Sequence, residues 1–418
     1  MAMMELVGKI MDYGEICDHC LGRLFGKRGH GLTNDERGRA LRIAHTMERN
    51  IPYSPAGDGC CICRGLFSTL DEWVERTIQA LEGFEYRTFI IGTRVPPMLA
   101  ENEEMIWSDL HLSDAEPLNA EVNREVGKRL ERRTGKKAKM DRPDVVAILD
   151  IPRGCVEVQV NPVFIRGRYV KLERGIPQTR WPCRECGGSG CPRCHQTGKM
   201  YPDSVEELIG RHVKACFSAE DAILHGGGRE DIDALMLGEG RPFVMEVVKP
   251  RIRIRDLSTL QEEINRAEAG RISVVLTGYA ERADVREVKA ERMMKRYRVT
   301  VEIEGPISPG EIKRAISSLR GATIRQRTPM RVSHRRADLI RERRVLGIVL
   351  VEGGQNRCIL EILGEAGLYI KELITGDTGR TRPSLSELLG RQCNVIELDV
   401  VEVLRSLEGS VIANNKKV

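Results

Sequence analysis

The chain has 418 residues, 41% hydrophobic and only 4% aromatic, enough for two or three mostly aliphatic cores rather than one. Its apolar runs fall short of a membrane span, and its opening lacks the basic, apolar and small-residue succession of a secretory leader, so a cytoplasmic protein is expected. Net charge is a modest +5, but between Arg325 and Arg344 eight arginines meet only Asp338 and Glu342, a density suited to phosphate contacts as well as to a solvated face.

Residues 1–82 read as a first unit that opens on a short helix and carries Cys17-x-x-Cys20 and Cys60-x-x-Cys63. The chain holds thirteen cysteines, and a reducing compartment argues against disulfides. Eight of them form four C-x-x-C pairs, a pattern that points to metal. One structural zinc is expected on Cys17, Cys20, Cys60 and Cys63, with Cys61 as a rival thiol. Four buried thiols at a fold junction are the alternative, because thirty-nine residues separate the pairs. Residues 83–168 read as mixed α/β. TFIIGT (Thr88–Thr93) and VVAIL (Val145–Leu149) are strands, Ala120–Arg133 is an exposed helix, and VEVQVNPVFI (Val156–Ile165) is a strand broken at Pro162.

Residues 169–418 form the third part, with a four-cysteine zinc insertion at 183–194. Cys183, Cys186, Cys191 and Cys194 make two knuckles with glycines between them, and glycine lets the chain turn tightly enough to bring four thiolates onto one zinc. Over this dozen residues the motif resembles the zinc modules of the DnaJ chaperones. With all four ligands cysteine, the site is closed and structural. After it, Ser204 caps a helix running to Phe217, in which Val205, Leu208, Ile209, Val213 and Cys216 share a face. Strands follow at 242–248, 272–276, 297–304, 345–351 and 395–404, and helices at 258–269, 308–319 and 383–390, giving an α+β class for the domain and a multidomain α+β chain. Cys155, Cys216, Cys358 and Cys393 are expected as small buried apolar residues, and Asn414–Val418 as a frayed tail.

The segment from Gly226 to Phe243 sets glycines around Arg229-Glu-Asp231 ahead of a strand. Such a turn lets a carboxylate approach a ligand, and Arg229 is placed to keep it ionised. A surface turn with an ion pair fits the same residues; a phosphate-binding P-loop does not, since no G-K-[ST] follows. Asp233 is a rival carboxylate that would share Asp231's face on a strand.

GREDIDALMLGEGRPF resembles motif one of the archaeal and eukaryotic pseudouridine synthases of the tenth family. The resemblance extends to PVFIRGRYVKLERGIPQTR (162–180), SVEELI (204–209), Lys295-Arg-Tyr297 and Gly367-Leu-Tyr-Ile370-Lys371 through Asp377. Leu235 departs from it, standing where many relatives carry arginine. It implies that Asp231 is the essential carboxylate, Lys371 its basic partner and Tyr297 an aromatic against uracil, with Ile370 packing on the base. It implies a THUMP-like domain at 83–168 holding the tRNA acceptor arm, a catalytic domain on the T-loop, and isomerisation of uridine 55, with 54 alongside. The reaction needs no organic cofactor, and the aspartate acts as nucleophile or as base. Binding is expected to rest on phosphate contacts by Arg229, by Arg251 and Arg253, which with Arg255 would line one face, and by the track Arg325, Arg327, Arg331, Arg335 and Arg336. The partner is tRNA, not a membrane, and the chain is expected to act as a monomer. The rivals are a zinc-bearing tRNA binder without catalysis and a THUMP-linked nucleobase deaminase. None of the eight histidines opens the H-x-E that the deaminase needs. A THUMP methyltransferase is weaker still, lacking a Gly-rich loop between strand and helix.

Overall fold

The computed structural model describes residues 3–57, 59–335 and 337–405; the side chains of His334, Arg335 and Arg405 lie outside the description, as does the expected tail at Asn414–Val418. Two compact units result, Met1–Pro162 with Lys249–Arg253, and Val163–Val248 with Ile254–Val418.

In the first unit, helices α1 (Met3–Met11), α2 (Asp18–Arg23), α3 (Asn34–Arg49) and α4 (Leu70–Ala80) precede β1 (Thr88–Arg94), α5 (Pro97–Leu110), α6 (Leu118–Thr134), β2 (Lys137–Ala138), β3 (Val145–Asp150) and β4 (Cys155–Val160). The sheet order is β2-β1-β3-β4, with β1 parallel to both neighbours and β4 antiparallel to β3. Helix α6 buries Val122, Val126 and Leu130, an i, i+4, i+8 stripe, so it is amphipathic rather than exposed. That stripe belongs to one continuous core running from Val7 and Ile10 through Cys20, Cys60 and Trp73 to Phe89 and Leu149. Helix α3 is absent from the sequence reading because charged residues dominate it; it starts on a capping box in which Thr33 N donates to Glu36 Oε2 at 2.8 Å.

The second unit contains β5 (Val163–Lys171), α7 (Val205–Phe217), β6 (Asp221–Gly226), β7 (Met236–Val248), α8 (Leu257–Ala267), β8 (Ile272–Ala280), α9 (Arg282–Ala290), β9 (Met293–Ile303), α10 (Pro309–Leu319), β10 (Thr323–Arg327), β11 (Ile340–Gly353), β12 (Arg357–Gly364), α11 (Ile370–Thr375), β13 (Thr381–Arg382), α12 (Leu385–Leu389) and β14 (Cys393–Arg405). One sheet runs β13-β10-β11-β12-β9-β14-β7-β5-β8, with β6 also on β7. The α+β class therefore stands. As expected, Ser204 caps α7, accepting from Glu207 N at 3.2 Å.

Helices α7 and α8 cover β5 to β8 through Leu208, Val213, Phe217, Ile264, Phe243 and Met245. Residues of α10, α11 and α12 form a second core with β9 to β12 through Ile312, Leu319, Leu373, Val299 and Leu360. Tyr297 packs on both cores, at the middle of the sheet.

One expectation fails. Cys155 is exposed and Cys216 half-buried, leaving only Cys358 and Cys393 as buried thiols outside the knuckles, because Cys155 opens β4 beside a turn. The Arg251, Arg253 and Arg255 alternation is divided between the two units. Arg251 lies over the Phe84 ring at 5.0 Å and Arg253 pairs with Asp144 at 3.1 Å, whereas Arg255 donates to the Cys216 carbonyl within the second unit.

Candidate active site and metal centres

The glycine-flanked turn connects β6 to β7, and close packing dictates its glycines. A side chain on Gly227 would meet Met293 at 2.8 Å and Pro242 at 3.0 Å, and Gly228 has φ +78°. The turn rests on a fully buried Glu230–Arg241 pair at 2.7 Å. Tyr169 donates its hydroxyl to Glu230 at 2.9 Å, Gln178 donates to that hydroxyl at 2.8 Å, and Arg241 donates to the Gly227 carbonyl at 2.9 Å. Lys171, also buried, donates to the carbonyls of Ile176, Asp231 and Ile232 at 2.9, 3.2 and 3.1 Å. Burial pulls its ammonium below the usual lysine range.

Asp231, held from behind in this way, lines a cavity of about 690 Å³. Its carboxylate lies 3.5 Å from Lys371 Nζ and 3.1 Å from Arg331 Nη1. Lys371 opens α11 beside Ile370, which is buried and lines the same cavity. Arg331 also holds Glu372 at 2.7 Å. Asp233 sits 2.8 Å from Lys371, but its side chain is 69% exposed against 30% for Asp231, and only Asp231 lines the cavity. Burial pushes the Asp233 carboxyl up, yet the bond and charge of Lys371 outweigh this and hold it below the ordinary range. Neither aspartate is on a strand, so the shared-face expectation is replaced by a turn that brings both to one lysine.

Tyr297 and Lys295 project from alternate positions of β9 into this cavity. Burial pushes the Tyr297 hydroxyl up to about 12, so it stays a neutral phenol near pH 7: a stacking surface, and a poor proton acceptor. Burial, with Arg241 close by, pulls Lys295 down to about 8.

Of the expected phosphate contacts, Arg229 lines the cavity and stacks over Trp181 at 5.7 Å, at the foot of the four-cysteine loop. Arg327 pairs with Asp338 at 2.5 Å on an exposed edge. The Arg335 side chain and all of Arg336 lie outside the described residues. The guanidinium on Asp231 belongs to Arg331 rather than Arg229. The sequence reading assigned no role to Lys171, Glu230, Arg241 or Lys295. Lys171 carried a signal: it continues the inward register of Ile165, Gly167 and Tyr169.

Each four-cysteine set brings its sulfurs within 4.8 Å of one another. Tetrahedral ligation with metal–sulfur bonds of about 2.3 Å puts sulfurs about 3.8 Å apart. Cys17–Cys63 is 3.7 Å, Cys183–Cys191 3.8 Å and Cys186–Cys194 3.9 Å. Backbone N–H groups of Gly190, Cys191 and Gly198 point at Cys186 and Cys194 sulfurs at 3.2 Å, the support that thiolates need. Cys61 stands outside the cluster. Both sets fit a structural metal ion.

Residues 73–150 match the family model for the archaeal Pus10 THUMP domain, and residues 164–404, more than half of the chain, match that for the Pus10 C-terminal region. A protein of Methanothrix thermoacetophila named tRNA pseudouridine synthase Pus10 is 43% identical over 421 residues, covering 94% of this chain and 93% of its own length. One of the same name from Halorubrum lacusprofundi is 44% identical over 412 residues, covering 96% of each. The class so defined is a pseudouridine synthase, an isomerase, joined to a THUMP domain. Among solved structures, a chain of a Cbf5-Nop10-Gar1 complex aligns over 58% of this chain and 50% of its own, at 16% identity and a TM-score of 0.33. The chain belongs to the Pus10 family.

Proposed function

We propose that this chain converts uridine 55, and uridine 54 with it, to pseudouridine in the T-loop of tRNA, acting as a monomer in the cytoplasm. The observation that carries the reading is Asp231, held between Lys371 and Arg331, facing a cavity roomy enough for a splayed nucleotide, with Tyr297 and Ile370 on its walls. A uridine splayed out of the loop enters this cavity. The Asp231 carboxylate bonds to ribose C1′ or takes the C2′ proton as the N1–C1′ bond breaks, and the uracil turns against Tyr297 and Ile370; C5 then bonds to C1′ as the carboxylate leaves or returns the proton, C5 gives up its proton and N1 gains one. Lys371 and Arg331 hold the carboxylate charged and aimed. No electrons leave the nucleoside, so no organic cofactor is required.

In this reading residues 1–82 form the zinc unit, 83–168 the THUMP-like domain on the acceptor arm, and 169–418 the catalytic domain. Arg229, Arg251 and Arg327 reach phosphates; Arg253, tied to Asp144, does so less readily. Zinc fills both four-cysteine sets, and elemental analysis is expected to give two ions per chain. Cys191→Ser with Cys194→Ser will remove one of them, and an unchanged count would refute the assignment.

The direct test is incubation with unmodified tRNA transcript followed by carbodiimide mapping. Adducts at 55 and 54 are expected. Bound tRNA with no reactive uridine would leave only a tRNA binder, and adducts confined elsewhere would move the target.

A further inference from the structure

Lys295 is a half-buried ammonium on the wall of the cavity, without a hydrogen-bonded partner. No hydrogen bond or ion pair links its side chain to any described residue, and it lines the cavity that Asp231 faces. A side chain at Gly228 would come within 3.4 Å of its Nζ, which places that nitrogen against the catalytic turn. Glu230 attracts Lys295 but is taken up in a contact ion pair by Arg241, so Lys295 makes no ion pair of its own. An ammonium on the cavity wall with its donors unspent by the protein is placed to meet an electron-rich group that arrives with the ligand and displaces water.

That group belongs to the base rather than to a phosphate. Lys295 lies two residues from Tyr297 on one face of β9, about 7 Å along the strand, inside the cavity. Arg296 and Arg298, on the opposite face, are instead paired with Glu402 and Glu361.

Building on the proposed isomerase reading, we propose that Lys295 is a catalytic residue that hydrogen-bonds a uracil carbonyl oxygen and holds the uracil anion once it is detached. When the N1–C1′ bond breaks, its electron pair leaves on N1 and spreads to O2 and O4. Lys295 donates a hydrogen bond to one of these oxygens and gives up no proton. C5 of the anion then attacks C1′, the C5 proton passes to solvent and N1 regains one. A contact that strengthens as charge develops accelerates the chemical step rather than binding.

The test measures single-turnover rates on full-length tRNA assembled with uridine, 2-thiouridine or 4-thiouridine at the target position, since sulfur accepts hydrogen bonds poorly. Lys295→Met is expected to slow the uridine reaction on the order of 100-fold with tRNA affinity nearly unchanged. Lys295→Arg should recover most of the rate. One of the two thio substitutions should slow the wild-type chain strongly and Lys295→Met little. Equal thio penalties in both chains, or full activity of Lys295→Met, would overturn the role of Lys295 while leaving the isomerase reading intact. If Lys295→Met does not fold, the wild-type and Lys295→Arg rates decide: wild-type indifference to both thio substitutions overturns the proposal. Failure of the wild-type chain on uridine tRNA would instead count against the isomerase reading.

Discussion

Asp231→Ala will fold, bind unmodified tRNA and form no measurable pseudouridine, a loss of at least about ten-thousand-fold in single-turnover rate. Folding survives because the carboxylate does not shape its turn. The Asp231 and Ile232 carbonyls are held by Lys171, and Gly175 N donates to the Ile232 carbonyl at 2.9 Å. The ion pairs with Arg331 and Lys371 lie at a partly exposed cavity wall, where such pairs contribute about 1 kcal/mol or less. Catalysis does not survive, because the carboxylates that share its ion-pair network cannot replace it: Asp233 points outward, Glu372 is tied to Arg331 and Glu230 is sealed against Arg241. Asp233→Ala, which only loosens Lys371, should cost no more than about tenfold. Carbodiimide mapping beside a filter-binding curve checks both variants. Near-normal turnover in Asp231→Ala would remove that residue from the chemistry.

The largest effect on stability is expected from Glu230→Ala. Arg241 has no exposed side-chain surface, and its Nη2 has no partner even with Glu230 present. Removing the carboxylate strands a guanidinium in a dry interior and takes from the Tyr169 hydroxyl its acceptor, a change that costs about 3–5 kcal/mol. For a unit of this size that corresponds to a fall in Tm of about 10 °C. Chemical denaturation followed by tryptophan fluorescence should show it. Arg241→Met added to Glu230→Ala should recover part of the loss, because the pair is then replaced by apolar volume. A Glu230→Ala chain as stable as wild type would show that the turn is not anchored by this pair.

The contrast between these residues shows what the sequence could and could not carry. Asp231, Lys371 and Tyr297 were found because each sits in a short motif, and the fold brings the three to one cavity. Arg331 appeared only as one of a run of arginines; its contact with Asp231 spans 100 positions and arises from the sheet. Glu230 carries no such signal, because a glutamate in a charged turn looks solvated, and its burial depends on Arg241 and Tyr169 from two strands. The same motif shifted a boundary. Gly238 and Gly240 looked like turn residues and suggested a strand from 242, yet β7 begins at Met236 and carries both at positive φ, where Val401 and Tyr169 carbonyls crowd in. Strands β6, β10 and β12 went unread because short alternating segments identify themselves only through their sheet partners.

The uninterrupted core of the first unit carries a lesson for ancestry as well as for stability. Because Cys20 and Cys60 share their apolar surroundings with Phe89 and Leu149, a recombination break after residue 82 would expose both halves to water. The thiol cluster and the four-stranded sheet therefore share one solvent-excluded interior, so losing the cysteines would loosen the packing beneath the neighbouring sheet as well.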